Sequence, residues 1–180
     1  MSFYLETERL ILREIKTTDL EAMFALDSNN EVHKYLGGNP IQTKEQAAKT
    51  IRFIQQQYKD HGIGRFACIE KTSGEFIGWS GFKFNTGEKE ALNGYQDFID
   101  IGYRFIPKYW GKGYATESAL ACLDYGFKKL NYPVVYGAAD VDNIGSNKIL
   151  QKIGLQFVNE FKYKDIAVNW YELKKENYGK

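Results

Sequence analysis

Residues 107–117 read Pro107-Lys108-Tyr109-Trp110-Gly111-Lys112-Gly113-Tyr114-Ala115-Thr116-Glu117. They join an apolar stretch typical of a buried strand, 98–106, to a stretch typical of a helix, 114–130. Gly111 and Gly113 allow backbone N–H groups to turn into a concave nest, and the helix that follows begins with unpaired N–H groups. Such a nest at the positive end of a helix dipole is typical of a phosphate or pyrophosphate site.

A second apolar run, Pro133–Ala138, follows the helix and is typical of a strand covered on both faces. Two strands joined by one helix form a parallel, right-handed crossover. The other stretches are predicted to pair as hairpins, in the order β-α-α-β-β-β-α-β-α-β-β. Strands are predicted at 9–15, 65–71, 76–84, 98–106, 133–138, 155–163 and 166–173. The predicted fold class is therefore α/β of the mixed α+β kind, with a mixed sheet and helices on both faces.

Two capping boxes predict the starts of the first two helices. They are Thr18-Asp19-Leu20-Glu21 and Thr43-Lys44-Glu45-Gln46. The stretch 28–42 between them carries Gly37-Gly38 and Pro40, and it is predicted to be irregular. The last helix is predicted at 143–153.

Composition excludes several classes of protein. The chain has 180 residues with 24 basic and 23 acidic side chains, a formal net charge of +1. This length predicts one domain, 1–180, and near-zero charge gives no drive toward nucleic acid or an anionic membrane. No apolar run approaches the roughly 20 residues of a membrane helix, and the N-terminus lacks the apolar core of a signal peptide, so a cytoplasmic location is expected. The only cysteines, Cys68 and Cys122, have no Cys or His ligands nearby in sequence, so we expect no metal and an inert core role.

Two common phosphate-binding motifs do not match the loop. A Walker loop has Ser or Thr after its Gly-Lys pair, but Gly113 follows Lys112. A dinucleotide fingerprint has a third glycine three residues after the second, but Thr116 stands there.

The loop instead resembles the pyrophosphate loop of the GCN5-related N-acetyltransferase (GNAT) superfamily, especially its branch of ribosomal-protein N-terminal acetyltransferases. Three further stretches are similar to that branch: its opening strand at 5–13, its first interhelical loop at 31–37 and its N-x-x-S…K-x-G-F segment at 142–155. The similarity extends from near the N-terminus to the last strands.

This resemblance implies a GNAT fold, in which the two parallel strands splay apart and acetyl-CoA, the co-substrate, lies in the opening. The loop amides would hold the pyrophosphate, and two other segments would contact the pantetheine arm. The cofactor-binding residues so implied are Arg104, Phe105, Lys108, Gly111, Lys112, Gly113, Tyr114, Ala115, Thr116, Asn143 and Ser146. Asn143 is also expected to cap the last helix.

The resemblance further implies direct attack of a neutral amine on the thioester, which needs a base, an oxyanion donor and an acid. Asp100, among apolar neighbours, is the predicted base, and the alternative is an ion pair with Arg104 on the same face. Many family members carry a tyrosine seven residues after the Asn143 position, but Leu150 stands there. Ser146 is therefore the predicted acid, directly or through water, or else a small packing residue.

The acceptor is expected to be a primary amine, with a protein N-terminus favoured over a small molecule such as a polyamine, aminoglycoside or amino acid. Its specificity is expected from the loops 28–42 and 86–95 and from the closing hairpin. Acidic residues of the second loop would attract a cationic amine or simply be solvated: Glu88, Glu90 and Asp97. A non-enzymatic acyl-CoA-binding module and a nucleotide-binding protein are the alternatives, and a monomer or homodimer is expected. The two histidines, His33 and His61, are predicted to lie at the surface.

Overall fold

The computed structural model describes residues 3–179, which contain eight strands and five α-helices. The strands are β1 Tyr4–Glu6, β2 Leu10–Glu14, β3 Arg65–Glu70, β4 Phe76–Asn85, β5 Phe98–Phe105, β6 Val134–Asp140, β7 Gln156–Tyr163 and β8 Ile166–Lys174. The helices are α1 Leu20–Asp27, α2 Asn30–His33, α3 Lys44–His61, α4 Tyr114–Lys128 and α5 Ile144–Lys152.

All eight strands form one sheet in the order β1-β2-β3-β4-β5-β6-β8-β7. Every neighbouring pair is antiparallel except β5 and β6, which are parallel. The predicted mixed sheet, mostly antiparallel with one parallel pair, is therefore confirmed. The prediction of seven strands is wrong, because β1 adds an eighth, and its three residues are too few to show an alternating pattern.

Helices pack on both faces of this sheet, as predicted. On one face, α1 and α3 bury Met23, Ile51 and Ile54 against Ile15 and Ala67. On the other face, α4 and α5 cover a larger core. That core includes Leu10, Phe66, Ile77, Phe82, Cys122, Leu123, Phe127 and Leu150. Each fully buried Ile or Leu side chain stabilises the fold by about 1.5–3 kcal/mol. No helix within residues 3–179 is both long and apolar enough to cross a membrane.

The second predicted capping box is confirmed and the first is wrong. Thr43 Oγ1 accepts the Gln46 N–H at 3.4 Å, and Gln46 Oε1 accepts the Thr43 N–H at 3.1 Å. Near the first box, the Asp19 carboxylate accepts the Lys16 N–H at 2.7 Å, and a 3₁₀ turn begins at residue 17. A carboxylate makes stronger hydrogen bonds than the Thr18 hydroxyl, so the chain turns two residues earlier than predicted.

The stretch 28–42 is less irregular than its glycines indicated. It contains α2, a single helical turn capped by Asn29, whose Oδ1 accepts the Glu31 N–H at 2.9 Å. This turn buries His33, which is 8% exposed, so its predicted surface position is wrong. His61 is exposed, as predicted, and Cys68 and Cys122 are fully buried free thiols. Burial raises the pKa of the Cys122 thiol to about 12, as expected of an inert core cysteine.

Candidate active site

The parallel strands β5 and β6 part immediately after they meet. Their register has a single pair, Asp100 with Tyr136. Beyond it β5 continues along β4 as far as the pair Phe105–Gly78, while β6 pairs with β8 over its whole length. The two strands therefore leave between them an opening that is bounded by the last residues of β5 and of β6.

The glycine loop stands where β5 leads into α4. Gly111 and Gly113 have φ angles of 73° and 83°, a left-handed region that other residues rarely adopt. Within residues 3–179, the N–H groups from Gly111 to Thr116 have no hydrogen-bond acceptor, and the first helical bond into this segment runs from Glu117 N–H to Gly113 O. Six successive free donors at a helix N-terminus can accommodate an anionic phosphate group.

Contacts from the other end of the chain hold this loop in place. Glu117 accepts hydrogen bonds from Thr7 Oγ1 at 2.6 Å, from the Arg9 N–H at 2.8 Å and from Arg9 Nε at 2.7 Å. Arg9 Nη1 also donates to the Lys112 carbonyl at 2.9 Å, and its guanidinium lies over the Tyr114 ring. Burial opposes ionisation of Glu117, but the bonds from Thr7 and Arg9 outweigh it and lower its pKa. Sequence reasoning missed these contacts, because the sequence places Glu117 in the first turn of its helix and gives no sign of partners more than 100 residues away.

Two lysines near the loop differ in whether a carboxylate pairs with them. Lys108 Nζ lies 3.1 Å from the Glu75 carboxylate and forms an ion pair with it. Lys112 is exposed beside the nest, with its ammonium over the Tyr109 ring. Lys112 is therefore better placed than Lys108 to meet a phosphate of the cofactor.

The end of β5 presents backbone groups to the opening. Ile106 N–H donates to Ile77 O across the β4–β5 ladder. Because residues of an antiparallel strand bond alternately to one side and the other, the Arg104 backbone faces β4, and those of Tyr103 and Phe105 face the opening. The Phe105 carbonyl accepts the Trp110 indole N–H at 2.7 Å. The free groups here are the Tyr103 backbone and the Phe105 N–H, so Tyr103 joins Phe105 in the position predicted for Arg104.

Asp100 lies on the α1/α3 face of β5 and makes an ion pair. The alternative considered for Asp100 was an ion pair with a cation such as Arg104, and the ion pair is present but its cation is Arg65. Asp100 Oδ1 lies 2.7 Å from Arg65 Nη2, whereas Arg104 Nη1 lies 2.7 Å from Asp27 Oδ1. Gly102 explains the first pair, because a Cβ there would come within 2.9 Å of the Arg65 guanidinium carbon. A residue without a side chain thus lets Arg65 lie flat on β5, where the strands part.

Ser146 lies at the opposite side of the opening, next to a tyrosine that sequence reasoning missed. The Tyr103 hydroxyl lies 3.1 Å from Ser146 Oγ and donates to the Ser146 carbonyl at 3.0 Å. Burial raises the pKa of Tyr103 even though its bond to Ser146 lowers it, so the phenol stays protonated at neutral pH. Leu150 is buried against β6, where a Cβ on Gly137 would come within 2.7 Å of it.

The N-terminus of α5 is organised by Asn143. Its Oδ1 accepts the Ser146 N–H at 3.1 Å, so the predicted N-cap is confirmed. This cap places Ser146 in the first turn of α5, and the Tyr103 bonds then tie that turn to β5 across the opening.

A cavity of about 160 Å³ lies on the α1/α3 face, beside the Asp100–Arg65 pair. Its lining includes Asp27, Phe53, Arg65, Trp79, Lys83 and Arg104. His33 lies near this cavity, and its pKa is lowered by burial and by the charge of Arg104, which makes the ring neutral at pH 7.

Two carboxylates of the acidic loop 86–97, which was considered as an attractor of a cationic amine, already have partners. Glu90 lies 2.7 Å from Lys83 Nζ and accepts the Thr86 N–H at 2.9 Å. Asp97 accepts the Gly87 N–H at 3.0 Å. Two of the three carboxylates therefore order their own loop.

A mostly antiparallel sheet, with a splayed parallel pair and an amide nest at its mouth, defines the class of acyltransferases that use a CoA thioester. The chain belongs to the acetyltransferase (GNAT) domain family, whose sequence profile matches residues 9–156. It is therefore an N-acetyltransferase, and the co-substrate of its family is acetyl-CoA.

Two sequence relatives agree with this assignment, and a solved structure shares the fold. YoaA of Bacillus subtilis, named as an N-acetyltransferase, is 36% identical over 84% of this chain and 82% of its own length. Spermidine N(1)-acetyltransferase of Escherichia coli K12 is 27% identical over 83% of this chain and 74% of its own. The structure of a ribosomal-protein-S5-alanine acetyltransferase from Vibrio fischeri matches with a TM-score of 0.76 at 18% identity, over 99% of this chain and 100% of that one.

Proposed function

We propose that this enzyme binds acetyl-CoA with its pyrophosphate on the amides of Gly111–Thr116 and its pantetheine arm between β5 and β6. The observation that carries the proposal is the run of six free N–H donors at the mouth of the opening. The backbone of Tyr103 pairs with the arm, and Asn143 and Ser146 meet it from α5. Lys112 supplies a positive charge beside the phosphates.

Deprotonation of the amine and protonation of the CoA sulfur take place on opposite faces of β5. Successive side chains of a strand point to opposite faces, so Asp100 faces α1 and α3 while Tyr103 faces α4 and α5. Asp100 takes the proton from an amine that arrives on the first face, and its Oδ2 has no hydrogen-bond partner within residues 3–179. The Phe105 N–H stabilises the oxyanion. Ser146, with Tyr103 behind it, returns a proton to the CoA sulfur on the second face.

For the acceptor, we propose the amine of a protein N-terminus. The support is the resemblance of 5–13 and 31–37 to the ribosomal-protein branch. A small amine is the alternative, since one relative is named for spermidine.

The test is thiol release from acetyl-CoA with short peptides, polyamines and aminoglycosides as acceptors. We expect turnover with at least one class of amine. CoA binding without acetylation of any amine, over a wide pH range, would contradict the proposed function.

A Tyr103→Phe variant tests the hydroxyl pair. We expect kcat to fall by about 10-fold, below the usual 10²–10⁴-fold worth of an acid, because water can also protonate a thiolate. KM for acetyl-CoA should stay the same, since the backbone of residue 103 is unchanged. Tyr132→Phe, another half-buried tyrosine of the α4 face, is the matched control. If both variants keep the parent kcat, Tyr103 has no part in proton return.

A further inference from the structure

The cavity beside Asp100 offers hydrogen-bond donors rather than acceptors. A guanidinium has five N–H donors. Arg104 uses only Nη1, on Asp27, and its other donors have no partner within residues 3–179. Its side chain is 22% exposed, and its guanidinium carbon lies 5.2 Å from the centre of the Trp79 ring. A guanidinium held on an aromatic ring is well ordered and presents a planar fork.

Carboxylates near the cavity are already engaged. Asp27 lines it, is 3% exposed and is paired with Arg104. Asp100 and Glu90 are paired with Arg65 and Lys83, the other two cations of the lining. A polyamine carries a second ammonium, and this ammonium would find each of the three carboxylates already paired with a cation.

The rest of the cavity is small and mostly apolar, with Thr50 and Gln57 as its neutral polar residues. Phe53 and Ile54 of α3 line one side, and Trp79 of β4 lines another. A volume of 160 Å³ is about five times the share of one water molecule in the liquid. It accommodates a short aliphatic chain that ends in a charged group.

We propose that the acceptor is an amine carrying a carboxylate a few bonds from the reacting nitrogen, and that the Arg104 guanidinium binds this carboxylate. The inference rests on the proposed function, which places the amine at Asp100. Arg104 and Asp100 lie on the same face of β5, four residues apart, and the cavity connects them: it is lined by Arg104 and by Arg65, the partner of Asp100. The carboxylate belongs either to a free amino acid or to the first side chain of a peptide.

The test compares four acceptors at a fixed acetyl-CoA concentration: glutamate, a Glu-initial tripeptide amide, the matched Gln-initial tripeptide amide, and spermidine. We expect kcat/KM for the Glu peptide to exceed that for the Gln peptide by about 10- to 100-fold, the usual worth of a hydrogen bond to a charged group. Preference for glutamate over the Glu peptide would identify a free amino acid as the source, and the reverse preference a protein N-terminus.

Variants of Arg104 then test whether this residue causes the preference for the Glu peptide. Arg104→Met alone would strand the buried Asp27, so it is combined with Asp27→Leu, because replacing both members of a buried pair is often neutral for stability. We expect the Glu/Gln ratio to approach one in this double variant and to fall several-fold in Arg104→Lys. Arg52→Met removes an exposed charge from α3 and should keep the parent ratio.

Three results would overturn the inference. They are equal rates with the two peptides, a preference for spermidine, or an unchanged ratio in the folded double variant. Each of them leaves acetyl transfer from acetyl-CoA to an amine standing, although a preference for spermidine would also overturn the protein N-terminus as acceptor. Absence of thiol release with every acceptor would instead overturn the proposed function, and the inference with it.

Discussion

An Asp100→Asn variant is expected to turn over about 10²- to 10⁴-fold more slowly than the parent enzyme, the usual worth of a general base. The amide keeps the size of the side chain and an oxygen for Arg65, which lies 2.7 Å away, but it cannot take a proton. The deficit should shrink as pH rises, because more of the acceptor amine is then already neutral. CoA affinity should barely change, since the amide nest lies in a different segment. A pH–rate profile on one acceptor measures the deficit and its pH dependence, and calorimetric titration with CoA measures the affinity.

The control for the lost ion pair is Asp19→Asn. Asp19 makes a comparable pair with Arg13 at 2.8 Å, outside the opening. Both variants should lose some thermal stability, but only Asp100→Asn should lose turnover. A wild-type profile in Asp100→Asn would leave deprotonation to solvent or another residue, and Asp100 would then be the structural partner of Arg65.

A Gly113→Val variant is expected to bind CoA at least about 100-fold more weakly, the loss that corresponds to two hydrogen bonds to a charged group. At a φ of 83° a β-branched residue is strained, so the loop must shift and the amides of the nest lose their alignment. The added Cβ would also lie 3.4 Å from Arg9 Nη2, a group that supports the loop. Calorimetric titration with CoA gives the affinity directly.

Gly62→Val is the matched control for backbone strain. Gly62 has a φ of 68° at the end of α3, with nothing within 4 Å of an added Cβ. Both variants should melt at a lower temperature, but only the change at Gly113 should weaken CoA binding. Unchanged binding in a folded Gly113→Val protein would mean that the pyrophosphate lies elsewhere.

Much of the fold could be predicted because its signals are local. The Thr43 capping box is confirmed, and α3 buries Ala47, Ile51 and Ile54, which stand at helical spacing in the sequence. One error falls where a charged group competes with a local pattern. Asp19 accepts the backbone bond expected of Thr18, because its carboxylate pairs with Arg13 and is the stronger acceptor. Strand β1 was missed because its three residues are too few to show the alternation of apolar and polar side chains.

The candidate site was predictable only in part. The sequence pointed to the loop, to Asp100 and to Ser146, because each stands in a motif or at a strand position with chemical meaning. It did not reveal Tyr103 beside Ser146, which is 43 residues away along the chain. Neither did it reveal the Arg9–Glu117 support, whose partners are 108 residues apart.

By itself, the sequence determined the mixed sheet and the glycine nest, because periodicity, caps and glycine spacing act within a few residues. The family followed from the resemblance of the loop and of three further stretches to a known superfamily. Only the tertiary structure decided which cation Asp100 meets. Arg104 is four residues from Asp100 on the same face, yet Asp27 holds it from α1, while Arg65 reaches Asp100 across the bare backbone of Gly102. Charge pairing depends on distances of about 3 Å between side chains of different elements. Those distances are set by the packing of α1 on the sheet and by the strand order β3-β4-β5, which no local pattern encodes.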